Sequence, residues 1–158
     1  MNDDIDHDRF MRIALAEAEA AYELGETPVG AVIVRNGTVV GRGGNRVVTL
    51  KDPTAHAEII AIGAACAATG YERLVDCVMY VTLEPCPMCA GAIVLARIPR
   101  LVYGAHDPKA GACGSVYSIC TDPRLNHSVD VSSGVMNNEC GGILSSFFTE
   151  LRNKKKSR

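Results

Sequence analysis

Two short segments constrain what this chain can fold into more than any other feature: His56-Ala57-Glu58 and, further on, Pro85-Cys86-Pro87-Met88-Cys89. One His and two Cys are ligands of the kind zinc takes, so the fold must bring both segments around one point. Three such ligands are one short of a closed structural tetrahedron, and a catalytic site keeps that fourth position open for water. Glu58 is then a spare carboxylate, placed to move the water's protons and not to bind the metal. Cys86 and Cys89 lie about one helical turn apart, and Pro87 suits the first turn of a helix, so both thiols can face one way. A helix N-terminus also favours thiolate over thiol. In mid-helix, His56 and Glu58 would point to nearly opposite sides. The pair therefore belongs at a helix start, which Asp52-Pro53-Thr54 and the run from Ala57 to Ile62 supply.

Each half has an ordinary alternative. Cys-x-x-Cys opening a helix after a strand is also the context of a redox pair. His56 alone could be a plain residue near a helix cap, and Glu58 a first-turn acid favoured by the dipole. Together they argue for the open metal site, because redox chemistry needs no His-x-Glu upstream. Cys66, Cys77, Cys113, Cys120 and Cys140 form no second paired spacing that would close a structural site.

The 158 residues fit one domain, expected over residues 1–152 with a basic tail at 153–158. No apolar run reaches the ~20 residues of a membrane span, and the acidic start is unlike a secretory signal. A cytoplasmic protein without membrane association is expected. Seven cysteines are an odd number, so those outside the site are expected to be small buried hydrophobes. A net charge of −2 gives no global argument for nucleic acid. Its distribution is uneven: Asp3, Asp4, Asp6 and Asp8 mark one end, and Arg152, Lys154, Lys155, Lys156 and Arg158 the other. The basic end could meet phosphates or be a solvated, frayed terminus.

Periodicity predicts a first helix over about 6–24, stopped by Gly25, and two strands at 29–34 and 38–43 flanking Asn36-Gly37, a strong hairpin signal. A helix at about 56–68 leads to the apolar run 78–83, which reads as a central strand covered on both faces. A short helix to about 96, a strand at 100–105, a weak strand near 129–131 and a helix at about 138–154 complete the order. The fold class is α/β: a three-layer α/β/α arrangement with a mixed sheet, its two metal half-sites meeting at one sheet edge. Residues 106–120, long and Gly-rich, are either a mobile rim over the site or a plain connector.

Pro28-Val-Gly-Ala-Val32, Asn45-Arg46, Asp52-Pro-Thr-Ala-His-Ala-Glu-Ile59, Tyr80-Val-Thr-Leu-Glu-Pro-Cys-Pro-Met-Cys-Ala-Gly-Ala92, Asp107-Pro-Lys-Ala-Gly-Ala112 and Phe147-Phe148 together resemble the bacterial tRNA-specific adenosine deaminases, of the cytidine deaminase superfamily. The resemblance spans about residues 9–152 and implies a cytidine deaminase-like fold with a five-stranded sheet. It implies one zinc per subunit on His56, Cys86 and Cys89, with water attacking C6 of an adenine while Glu58 carries protons. The implied reaction is hydrolytic deamination to inosine at the wobble position of a tRNA anticodon. By the same resemblance Asn45 would hydrogen-bond the inserted base, Val29 and Leu83 would wall the pocket, and the Glu84 backbone region would help place substrate and water. Residues Asp107, Lys109 and Ala110, with Phe147 and Phe148, would line the RNA groove. Val29, Leu83 and Phe147 could equally be core. A homodimer is implied as well. Thr149 and Gly44 depart from residues common in the family at those points.

The rival enzyme is a free nucleobase or nucleotide deaminase, such as a guanine or cytosine deaminase, on the same metal site. A rival of another class is a non-catalytic RNA-binding subunit of the same fold, against which the intact Glu58 argues.

Overall fold

In the computed structural model, which describes residues 6–157, helix α1 (His7–Glu23) begins where the Asp6 side chain accepts the Arg9 N–H at 3.1 Å. Asp3, Asp4 and Arg158 lie outside the described residues. Helix α1 ends at Gly25, whose φ of 77° lets the N–H groups of Gly25 and Glu26 return to the carbonyls of Tyr22 and Ala21. Strands β1 (Gly30–Arg35) and β2 (Thr38–Gly44) are joined by Asn36-Gly37 with φ of 49° and 75°, the two-residue hairpin the sequence predicts.

Helix α2 (Val47–Leu50), a short turn that the sequence pattern did not predict, follows the hairpin. Three of its four residues, Val47, Val48 and Thr49, are β-branched and poor helix formers. What holds it is Glu26, buried to 1% exposure, whose carboxylate accepts the N–H groups of Val48 at 3.1 Å and Thr49 at 2.6 Å. Helix α3 (Ala57–Thr69) stops at Gly70 in the left-handed region. Then come β3 (Cys77–Leu83), α4 (Pro87–Leu95), β4 (Arg100–Ala105), β5 (Asp130–Ser132) and α5 (Asn137–Lys156). Element ends fall within a residue or two of expectation, as capping ambiguity allows. The basic tail, expected either to meet phosphates or to fray, is helical as far as Lys156, with Lys154, Lys155 and Lys156 in the last turn, where cations are favoured.

The sheet order is β2-β1-β3-β4-β5, with β1 antiparallel to both neighbours and β3, β4 and β5 parallel. Helices α3 and α4 cover one face, over a core that includes Ile33, Met79, Ile93 and Leu101. Helices α1 and α5 cover the other, over Phe10, Met11, Val32, Tyr80 and Cys140. The three layers and the mixed five-stranded sheet match the expected fold. Burying each large apolar side chain contributes roughly 1.5–3 kcal/mol, so β3, with both faces covered, is a firm base for whatever follows its end. Helix α3 approaches β2 so closely that a Cβ at Gly41 would lie 2.5 Å from the Ala61 carbonyl oxygen. Among the described residues no helix is long and apolar enough to cross a membrane. All seven cysteines are free; Cys77, Cys113, Cys120 and Cys140 are buried as expected, and Cys66 is half-buried.

Candidate active site

The metal half-sites meet beyond the carboxyl end of central strand β3, not beside an edge strand. His56 is the N-cap of α3, with extended backbone, and Cys86 is the N-cap of α4, with Pro87 in its first turn. Two helix N-termini thus supply all three candidate ligands, and His56 and Glu58 reach one point because the first lies just outside its helix and the second just inside. His56 Nδ1 is 3.5 Å from Cys86 Sγ and 3.4 Å from Cys89 Sγ. The three donor atoms lie within 4.8 Å of one another, a group that could hold a metal ion. Among the described residues no fourth His, Cys, Asp or Glu joins the group, which would leave a bound ion's fourth position without a protein ligand.

The ligand charges are arranged accordingly. The Cys86 thiol is pushed down to about 4, first by its hydrogen bond with Cys89 and then by His56, with burial opposing. Cys89, fully buried behind it, is raised by that same bond and by burial. The pair therefore holds one ready thiolate, and a dication bound there would take the place of the remaining proton. His56 is raised, chiefly by its bond to Cys86. Burial pushes the Glu58 carboxyl up to about 6, the range in which a carboxyl can both take and give a proton near neutrality.

A cavity of about 250 Å³ opens beside this group. Val29, Asn45, His56, Glu58, Leu83, Glu84, Cys86, Asp107 and Ala110 line it, together with Thr27 and Ala57, which the sequence did not single out. Its volume is below the roughly 300–1,000 Å³ of pockets for drug-sized ligands. The buried Oδ1 of Asn45 has no hydrogen-bond partner among the described residues.

Three expected residues stand apart from this cavity. Lys109 is exposed on its rim segment without lining it. Phe147 is half-buried on α5, its ring edge-on to Tyr22 of α1 at 5.6 Å and to Phe148 at 5.4 Å, and Phe148 is 42% exposed. The packing alternative for Phe147 is thus the one its surroundings display.

Glu84 contributes more than a backbone. Its side chain is fully enclosed and accepts from the N–H groups of Asp107, Cys113 and Ser115 at 3.0, 3.1 and 3.0 Å and from the Ser115 hydroxyl. Burial works against its charge, yet the Ser115 hydroxyl and the three N–H groups outweigh it and hold the carboxyl below its ordinary value. Ser115 carried no local signal, since its partner is distant in sequence.

Helix-borne His and Cys ligands at the end of a mixed sheet, with a buried Glu beside them, define a deaminase, and the chain matches the MafB19-like deaminase family over residues 5–152. It belongs to that family and, within it, to the tRNA-specific adenosine deaminases. The tRNA-specific adenosine deaminase of Bacillus subtilis (strain 168) is 50% identical over 94% of this chain and 92% of its own length. A solved structure from work on adenosine-to-inosine editing by deaminases of the tRNA wobble position superposes with a TM-score of 0.83 at 52% identity, covering 86% of this chain and 99% of that one. The structure of guanine deaminase from Bacillus subtilis is more distant, with a TM-score of 0.64 at 33% identity over 94% of this chain and 95% of that one.

Proposed function

We propose that this chain hydrolytically deaminates the wobble adenosine of a tRNA anticodon to inosine, with one zinc ion held by His56, Cys86 and Cys89. The observation that carries the reading is a base-sized cavity whose wall combines the His/Cys/Cys group, buried Glu58 and the unpartnered Oδ1 of Asn45. The donor set fits zinc. With Zn–N of ~2.0–2.1 Å and Zn–S of ~2.3 Å, a tetrahedral N···S edge is about 3.6 Å, close to the 3.4 and 3.5 Å found. Bound there, zinc would supply a Lewis acid that acidifies water near neutrality.

The chain's own groups do the rest. Asn45 pairs with the edge of a base flipped out of the anticodon loop, and Val29 and Leu83 enclose its faces. Glu58 takes a proton from water and delivers it to N1 of the adenine as the water oxygen bonds to C6, then passes the remaining proton of that oxygen to N6 as the C6–N6 bond breaks and ammonia leaves. Water and adenosine thus give inosine and ammonia. Outside the cavity, exposed Lys109 and Phe148 would meet the anticodon stem-loop, with Phe147 bracing the Phe148 ring. A homodimer is supported by the exposed Met88 and Leu95 of α4, and a cytoplasmic location by the RNA substrate.

The test is turnover of an anticodon arm carrying adenosine at the wobble position. Inosine should appear while free guanine, cytosine and adenosine stay essentially unreacted. Rapid guanine deamination with intact RNA would assign the site to a free-base deaminase instead.

A further inference from the structure

We propose that Glu84 is a positioning residue for this reaction, its buried carboxylate fixing the rim that closes the base cavity. The inference rests on the substrate assignment above and concerns a group with no room for substrate, since both carboxylate oxygens are filled. Oε1 accepts the Asp107 N–H and the Ser115 hydroxyl, and Oε2 accepts the N–H groups of Cys113 and Ser115. Four donors converge on one side chain at the end of β3, and together they bind both ends of residues 107–115.

From there the constraint passes into the cavity wall. Asp107, held by Glu84, uses its own Oδ1 to accept the N–H groups of Lys109 and Ala110 at 3.0 and 3.2 Å, shaping the turn that presents Ala110. Asp107 and Ala110 both line the cavity. Gly111 follows because nothing larger fits: a Cβ there would lie 2.4 Å from both the carboxyl carbon and Oε2 of Glu84. The glycine in Asp107-Pro-Lys-Ala-Gly-Ala112 is thus required by close approach to this carboxylate. A rim held this way gives the cavity a defined height before substrate arrives, so less ordering is needed on binding.

Glu84→Gln keeps the shape and changes the chemistry. An amide offers one acceptor and one donor group, so either the Asp107 N–H or the N–H pair of Cys113 and Ser115 faces another N–H. Ser115→Ala is the milder variant, removing one donor and leaving the backbone ring intact. Wild type and both variants would be compared by zinc content, by KM and kcat on the anticodon arm, and by amide hydrogen exchange over residues 107–115. Loss of a hydrogen bond to a charged group corresponds to about tenfold or more. Glu84→Gln is therefore expected to raise KM about tenfold, with kcat within about twofold, full zinc and faster exchange at Asp107, Cys113 and Ser115. Ser115→Ala should move KM the same way by a few fold. Unchanged KM in both variants, a fall in kcat alone, or exchange equal to wild type would overturn the proposal. If the wild type leaves the anticodon arm unreacted, the substrate assignment fails instead, and the exchange comparison still decides whether Glu84 anchors the rim. Should Glu84→Gln not fold, KM and exchange in Ser115→Ala decide.

Discussion

Replacing Gly41 by Ala tests how strand β2 positions the catalytic helix. The added Cβ would lie 2.5 Å from the Ala61 carbonyl oxygen, 2.6 Å from the Ala65 backbone N and 2.8 Å from the Ala65 Cβ. Ordinary contact is about 3.5–4.0 Å, so α3 must retreat by about 1 Å. Two of the three obstacles are backbone atoms, which cannot rotate away. Overpacking of this kind costs about 1–3 kcal/mol, and rigid obstacles place it toward the upper end. At about 2–4 °C per kcal/mol for a chain of this size, Tm should fall by about 6–12 °C. The same retreat carries His56 away from Cys86 and Cys89, so metal affinity should fall with it. Gly63→Ala is the control within the same helix: a Cβ there meets nothing within 4 Å, and Ala is favoured over Gly in a helix by about 1 kcal/mol. Thermal unfolding with and without a chelator, together with zinc content, reads both effects. If Gly41→Ala melts within about a degree of wild type and retains full zinc, β2 does not set the seat of α3.

Glu58→Gln should keep zinc and lose turnover by at least about a hundredfold, the scale of general acid–base catalysis; metal loss by elemental analysis would make Glu58 a ligand. Asn45→Ala should leave Tm essentially unchanged, because its buried Oδ1 has no hydrogen-bond partner among the described residues to lose, while kcat/KM on the anticodon arm falls about tenfold or more. A large drop in Tm would mean Asn45 holds the fold. For Glu26, burial opposes the charge, but the bonds from Thr49 and the N–H of Val48 outweigh it and hold the carboxyl below its ordinary 4.5. A depressed folded pKa contributes stability that is present above the unfolded value and lost as pH falls through the folded one. Glu26→Gln should therefore be less stable than wild type near neutral pH in urea unfolding, with the gap closing in acid; a gap that widened in acid would reverse the sign of that reasoning.

What the sequence revealed and what it concealed separate by the distance over which each contact is made. Asn36-Gly37 announces its hairpin because the required backbone angles belong to those two residues. His-x-Glu and Cys-x-x-Cys announce the metal group because each half is local and helix ends orient both. Helix α2 was hidden because Val47 and Val48 have no helical preference of their own, and its cap, Glu26, stands on the far side of the hairpin. The surroundings of Phe147 were hidden for the same reason, since Tyr22 belongs to the opposite end of the chain.

The three buried glutamates show why spacing alone reaches the chemistry and stops short of the architecture. Glu26, Glu58 and Glu84 are alike in sequence, each being an acid near an element end, and all three are at most 4% exposed. Their neighbours divide them. Glu26 and Glu84 have their oxygens occupied by N–H groups from distant segments and are held in the charged form, so each is committed to fastening a loop. Glu58 faces the cavity with its carboxyl pushed up by burial, as the proton transfers proposed for it require. A motif could pick out Glu58 because the candidate metal ligands beside it are local, whereas the roles of the other two exist only once the chain has folded. The reaction type was therefore legible from a few residues, and the shape of the cavity that selects a base was not.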